Sequence, residues 1–176
     1  MHETDPGRTI SGTSAAALLE RLDRTLAHEI PISAALGIRP LRYDGLELTL
    51  AAPLAPNLNH KQTAFGGSLY CAAVLAGWGL LHLQWLRSAG TDEALPQIVI
   101  QEANIDYRRA VDGDFEAVCR WPVGLDPQRI ARMLERRGRA RAELEVRIGP
   151  EADPAIAFAG RYVLLSGNHA RPMAAG

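Results

Sequence analysis

Phe65-Gly-Gly-Ser-Leu-Tyr-Cys-Ala-Ala-Val-Leu-Ala-Gly-Trp-Gly-Leu-Leu-His-Leu-Gln-Trp-Leu86 is the stretch that decides the fold. It carries no Asp, Glu, Lys or Arg. By length alone it is enough to cross a bilayer as a helix. Two features favour a core helix instead. His82 and Gln84 interrupt its end, and the strands that follow have apolar faces that need a partner. A helix that is apolar all round can fill the centre of a globular domain. The expectation is a helix opening at Gly66-Gly67, running to about Leu86 and ending before Gly90, with no membrane span.

Working outward, Ser14–Ile30 reads as an amphipathic helix. Leu18, Leu22, Leu26 and Ile30 recur every four residues and Leu19 widens the stripe. Thr13 or Ser14 caps it and Pro31 stops it. Ile38–Tyr43 then leads into Asp44-Gly45, a turn dipeptide that tolerates positive φ. Leu46, Leu48 and Leu50 alternate with Glu47 and Thr49 as a half-buried strand. Residues 51–63, with Pro53 and Pro56, form a loop. Beyond the long helix come four strands: Gln97–Val111, Asp114–Trp121, Arg139–Ile148 and Pro154–Ser166. A tight turn at Asp112-Gly113 joins the first two. A short helix precedes the third, capped by Asp126, begun by Pro127 and closed by Gly138.

Strands segregate from helices, so the class is α+β with an antiparallel sheet. The segment Gly66–Leu86 is the only element apolar enough to cover that sheet's inner face. Residues 13–167 are read as one domain, with a flexible leader over 1–12 and a flexible tail over 168–176. The leader lacks the apolar stretch of a secretory signal.

Of 176 residues 47% are hydrophobic and 22% charged, and the formal net charge is −1. That balance gives no global pull toward nucleic acid or an anionic membrane. Cys71 and Cys119 sit among apolar residues and read as buried free thiols of a reducing, cytoplasmic compartment. Neither has a second Cys or His at ligand spacing, so no metal and no cofactor is expected.

The string Asn57-Leu-Asn-His-Lys-Gln-Thr-Ala-Phe-Gly-Gly-Ser-Leu-Tyr70, followed by Ala76-Gly77-Trp78, resembles the thioesterase domain of the YiiD C-terminal family. Ile98–Val111, with Asp106-Tyr107-Arg108 leading to Ala110-Val111, fits that family's strand after the helix. The resemblance covers residues 30–166. It implies the hot-dog fold, in which an antiparallel sheet wraps one long central helix. It also implies a homodimer joined edge to edge, or a dimer of dimers, that binds an acyl-CoA or acyl-carrier thioester at its interface. Many hot-dog thioesterases carry a carboxylate about two turns into the long helix. Here Ser68 through Leu86 contains no Asp or Glu.

The residues themselves suggest roles. Glycines at a helix N-terminus let a ligand approach the backbone, and the exposed N–H groups suit an oxygen that becomes negative. Gly67, with its neighbour Gly66, is therefore the candidate oxyanion site. The alternative is that both glycines only let the loop turn into a crowded helix. For the base, Glu102, Asn104 and Asp106 alternate and are read as sharing one face with Ile98 and Ile100. Glu102 is favoured because it lies deeper in the strand, where a partly buried carboxylate would have the raised pKa that base catalysis needs, and Asp106 is second. A salt bridge to Arg108 or another arginine is the structural alternative. Asn59 and Asn57 in the entry loop are placed to bind the carbonyl or orient water, or simply to shape turns. His60 is an alternative base without an acidic neighbour. Phe65, Ser68, Tyr70 and Arg108 complete the expected binding set, with Tyr70 and Trp78 as core or acyl-pocket walls.

Arg129, Arg132, Arg136, Arg137, Arg139 and Arg141 cluster around the short helix. They suit the phosphates of coenzyme A or of a phosphopantetheine carrier, or form a solvated face partnered by Glu135 and Glu143. Four functions compete on these residues: thioester hydrolysis, hydration or dehydration of acyl thioesters, acyl binding without turnover, and a structural dimer domain. A dehydratase needs a His paired with a helix carboxylate, which is missing.

Overall fold

The computed structural model describes residues 14–89 and 95–167. The expected leader and tail lie outside the described residues. Helix α1 spans Ala15–Glu29, and the Ser14 Oγ accepts the Ala17 N–H at its start, 3.2 Å away. Leu18, Leu22 and Leu26 are buried, as the four-residue spacing predicts. The helix stops ahead of Pro31, as expected, at Glu29. Pro31 then opens a separate turn, α2 (Pro31–Ala35), because proline's fixed φ suits a first helical position.

Strands β1 (Arg39–Tyr43) and β2 (Glu47–Ala52) form the expected hairpin. The Asp44 carboxylate accepts the Leu46 and Glu47 N–H groups at 2.8 and 2.7 Å, and Gly45 takes φ 98°. Helix α3 spans Gly66–Ala89. Then come β3 (Gln97–Tyr107), β4 (Phe115–Arg120), α4 (Pro127–Arg137), β5 (Arg139–Ile148) and β6 (Ile156–Leu165). In α4 the Asp126 side chain accepts the Gln128 N–H, and Gly138 closes the helix at φ 64°.

All neighbouring strands are antiparallel, in the order β1-β2-β4-β5-β6-β3. This order corrects one expectation: Asp112-Gly113 does not join paired strands. β3 lies beside β6 at the sheet's margin, whereas β4 lies between β2 and β5. Residues 108–114 are therefore a crossover. It is anchored where the Val111 carbonyl accepts the Ala64 N–H at 2.7 Å and the Asp114 carboxylate accepts the Leu54 N–H at 2.8 Å.

Helix α3 touches β2, β3, β4, β5 and β6, so the sheet wraps it in the hot-dog arrangement. Its composition and length would suit a membrane span, but 72% of its most apolar window is buried inside the protein. Leu80 and Leu83 are wholly buried, each contributing about 1.5–3 kcal/mol of apolar burial. Gly77 allows close approach: a Cβ there would lie 2.3 Å from the Tyr162 hydroxyl, which donates to the Val74 carbonyl at 2.9 Å. Cys119 is buried and Cys71 half-buried, and both are free thiols. Burial raises both thiol pKa values, which disfavours the reactive thiolate.

Candidate functional site

The entry loop to α3 is held by two asparagines. Asn57 is buried, and its Nδ2 donates to the Leu36 and Pro53 carbonyls at 2.8 and 2.7 Å. Its own carbonyl accepts the Phe65 N–H at 2.7 Å, which fixes where the helix begins. Asn59 spends its whole side-chain amide on the loop. Its Oδ1 accepts the Lys61 and Thr63 N–H groups, and its Nδ2 donates to the Thr63 hydroxyl and the Ala64 carbonyl. Both residues thus shape the backbone that presents the glycines, in the manner of Asx turns. His60 lies exposed on the same loop.

At the helix start, the Phe65 carbonyl accepts the Ser68 and Leu69 N–H groups at 2.9 and 3.1 Å. The Gly66 and Gly67 N–H groups have no acceptor among the described residues. Gly67 is exposed, and beside it stands the Phe65 ring, 58% exposed. Two free N–H groups at the positive end of a 24-residue helix form an anion-favouring pair. Ser68 is buried one residue further on. Tyr70 is half-buried and meets Phe158 edge to face, centroids 5.9 Å apart. Val74 and Trp78 continue the half-exposed stripe along α3.

Tyr107 completes this corner. Its hydroxyl donates to the Gly66 carbonyl at 2.9 Å, and a Cβ on Gly66 would lie 3.3 Å from its ring. Burial, with Tyr70 nearby, raises the phenol pKa, so it remains a neutral donor. The sequence reading did not single out Tyr107 for the site. The signal was its alternation with Ile105 and Ala103, which only the strand register makes meaningful.

That register corrects the reading of β3. A bulge lies between Ile100 and Glu102. Ile98 and Ile100 stand opposite Leu164 and Tyr162, which face the core. Past the bulge the faces exchange: Ala103, Ile105 and Tyr107 stand opposite the buried Gly160, Phe158 and Ile156. Glu102, Asn104 and Asp106 stand opposite Arg161, Ala159 and Ala157, on the outer face. An extra residue in one strand turns every later side chain to the opposite side. Glu102 therefore does not share a face with Ile98 and Ile100, and it is not partly buried. Its side chain is 65% exposed and is ion-paired with Arg161, which also binds Glu143 at 2.9 Å. Asp106 is paired with Arg108 at 2.8 Å, and both are exposed.

The structure thus gathers Phe65, Gly66, Gly67, Ser68 and Tyr70 at one corner, with Asn57 and Asn59 supporting the loop behind them. It places Glu102, Asp106 and Arg108 on the other side of the sheet. Those acids and Arg108 line a broad open groove of about 1100 Å³ with Arg120, Glu143 and Arg161. Among the described residues no group of three or more His, Cys, Asp or Glu is placed to hold a metal ion.

Residues 19–166 match the family described as "Putative thioesterase (yiiD_Cterm)". The chain belongs to this family. Among solved structures, a protein of unknown function from Chlorobaculum tepidum is 36% identical, with a TM-score of 0.79 over 86% of this chain and 96% of its own. A thioesterase-family protein from Shewanella oneidensis is 34% identical, with a TM-score of 0.73 over 84% of this chain and 97% of its own. A thioesterase from Haemophilus influenzae is 16% identical and shares the fold, with a TM-score of 0.61 over 88% of this chain and 94% of its own. The family match begins within α1, ahead of residue 30, so this YiiD C-terminal thioesterase domain takes in most of that helix as well as the sheet.

Proposed function

We propose that the protein hydrolyses acyl thioesters, as a homodimer joined along β3. The observation that carries this is the pair of N–H groups at Gly66 and Gly67 that have no acceptor among the described residues. They open the buried helix of a thioesterase-family domain and lie beside exposed Phe65 and Tyr107. The thioester carbonyl oxygen accepts from this pair. Water adds to the carbonyl carbon, and the oxyanion of the tetrahedral intermediate is stabilised where its charge develops. The carbon–sulfur bond then breaks, releasing a carboxylic acid and the thiol of coenzyme A or a carrier. The acyl chain lies along Tyr70, Val74 and Trp78.

β3, an eleven-residue strand paired on one side only among the described residues, supports the dimer. A long unpaired edge is a template for a second strand. Glu102 and Asp106 of the same protomer are separated from Gly67 by the sheet. This reading therefore gives neither acid a part in the step: the proton lost by the attacking water ends on the departing sulfur as the thiol leaves.

A second reading, thioester binding without turnover, is favoured by the absence of any carboxylate from α3. Thiol release and thermal stabilisation, measured side by side with the same acyl thioesters, separate the two. Stabilisation with release supports hydrolysis, and stabilisation without release on any chain length supports binding alone.

A further inference from the structure

Six of the chain's 19 basic residues fall between Arg129 and Arg141, against one of its 20 acidic residues, Glu135. With a net charge of −1 overall, this is a local concentration and not a general basicity. In the fold these residues occupy the exposed face of α4 and the first outward positions of β5. Arg132 pairs with Asp126 and Arg141 bonds Gln101. Arg129, Arg136, Arg137 and Arg139 have no ion-pair partner among the described residues. Glu143, a partner expected from the sequence, is taken by Arg161. Arg129, Arg132, Met133, Arg136 and Arg137 line an open groove of about 360 Å³.

We infer that this α4 groove docks an acidic helix of a phosphopantetheine-bearing carrier protein, which delivers the acyl thioester. Arg129 and Arg136 are two helical turns apart, about 10 Å, so they match successive acidic turns of a partner helix. Arginine forks suit carboxylates bidentately, and a Met side chain supplies an adaptable apolar contact between them. The groove lacks what a nucleotide needs. Among the described residues no aromatic or branched apolar wall lines it, so the adenine of coenzyme A would meet guanidinium planes but no enclosing apolar pocket.

The position fits delivery in trans. This rests on the dimeric thioesterase reading. Within one protomer, Gln97 and Tyr107 mark opposite ends of β3, about 33 Å apart, and the basic cluster lies at the Gln97 end. Gln97, Leu165 and Arg139 are neighbours across β3, β6 and β5. Antiparallel pairing of two whole β3 strands sets Gln97 of one protomer against Tyr107 of the other. Arg139 then stands three strand spacings, roughly 14 Å, from the Tyr107–Gly67 corner of its partner. A phosphopantetheine arm spans such a gap.

The test is binding of a purified, acidic holo-acyl carrier protein to the full chain, with coenzyme A titrated separately. The variants are Arg129→Glu/Arg136→Glu and the milder Arg129→Gln/Arg136→Gln, all at exposed positions. Wild type binds the carrier, the charge reversal weakens it at least tenfold, the neutral pair weakens it less, and coenzyme A binding is unchanged. No carrier binding by wild type, or equal carrier affinity in all three proteins, overturns the proposal. So does a loss confined to coenzyme A, which makes the groove a nucleotide-phosphate anchor. Binding of unacylated carrier needs no hydrolysis. Turnover of acyl-pantetheine, which has neither protein nor nucleotide, tests the thioesterase reading separately.

Discussion

The Tyr107 hydroxyl donates to the Gly66 carbonyl at 2.9 Å and so ties β3 to the first residue of the central helix. Loss of this bond alone, in Tyr107→Phe, keeps the ring against Gly66. A partly exposed hydrogen bond contributes about 0.5–1 kcal/mol, so the melting temperature falls only slightly. Thiol release falls by more than that small loss implies, because the glycine N–H groups are no longer held in register. Wild-type turnover in Tyr107→Phe would contradict a positioning role.

Glu102→Gln and Asp106→Asn are expected to keep turnover within about threefold of wild type. Both acids sit on the outer face in exposed ion pairs, which solvent screens. Collapse of activity in either variant, with folding intact, would restore that acid as the base.

Gly77→Ala is expected to destabilise the fold although alanine favours helix by about 1 kcal/mol. The new Cβ would meet the Tyr162 hydroxyl at 2.3 Å, and overpacking of this kind costs about 1–3 kcal/mol. Gly77→Ala combined with Tyr162→Phe removes the obstructing oxygen, so the double variant loses less than the sum of the singles. Denaturant midpoints measure all four species.

His82 is buried on α3, stacked on Trp78 with centroids 4.8 Å apart, and its Nε2 has no partner among the described residues. Burial, reinforced by the charge of Arg21, lowers its pKa from 6.5 to about 4. The unfolded chain then binds a proton more readily than the folded one. The stability held above pH 6.5 is lost as pH falls toward 4, by up to about 3 kcal/mol. Melting curves between pH 7 and 4 should show this slope in wild type and a flatter one in His82→Phe.

Much of the fold was legible because its signals are local. Ser14, Asp126 and Gly138 cap helices within a residue or two of the turns they bound, and the alternation of Ala140 through Ile148 is uninterrupted in β5. What stayed hidden depends on distant partners. Nothing around Asp112-Gly113 reveals that β3 pairs with β6 and not with β4. The bulge after Ile100 reverses the facing of every later residue, so alternation counted from Ile98 put Glu102 and Asp106 on the wrong side and hid Tyr107. The glycine pair was readable from its place at the helix start. The two asparagines were readable as loop residues, but not the hydrogen bonds that consume the Asn59 amide.

The most direct test of the account is steady-state thiol release, over a panel of acyl-CoA and acyl-carrier thioesters, by wild type, Gly67→Ala and Gly67→Pro. The two variants add the same Cβ beside Phe65, but only proline removes the N–H. Proline is tolerated in a first helical turn, where this N–H has no acceptor among the described residues. Loss of one oxyanion donor predicts a turnover about 10²–10³-fold below wild type for Gly67→Pro, with Gly67→Ala far less affected. Equal turnover in the two variants, or no thiol release by wild type from any thioester, would contradict it.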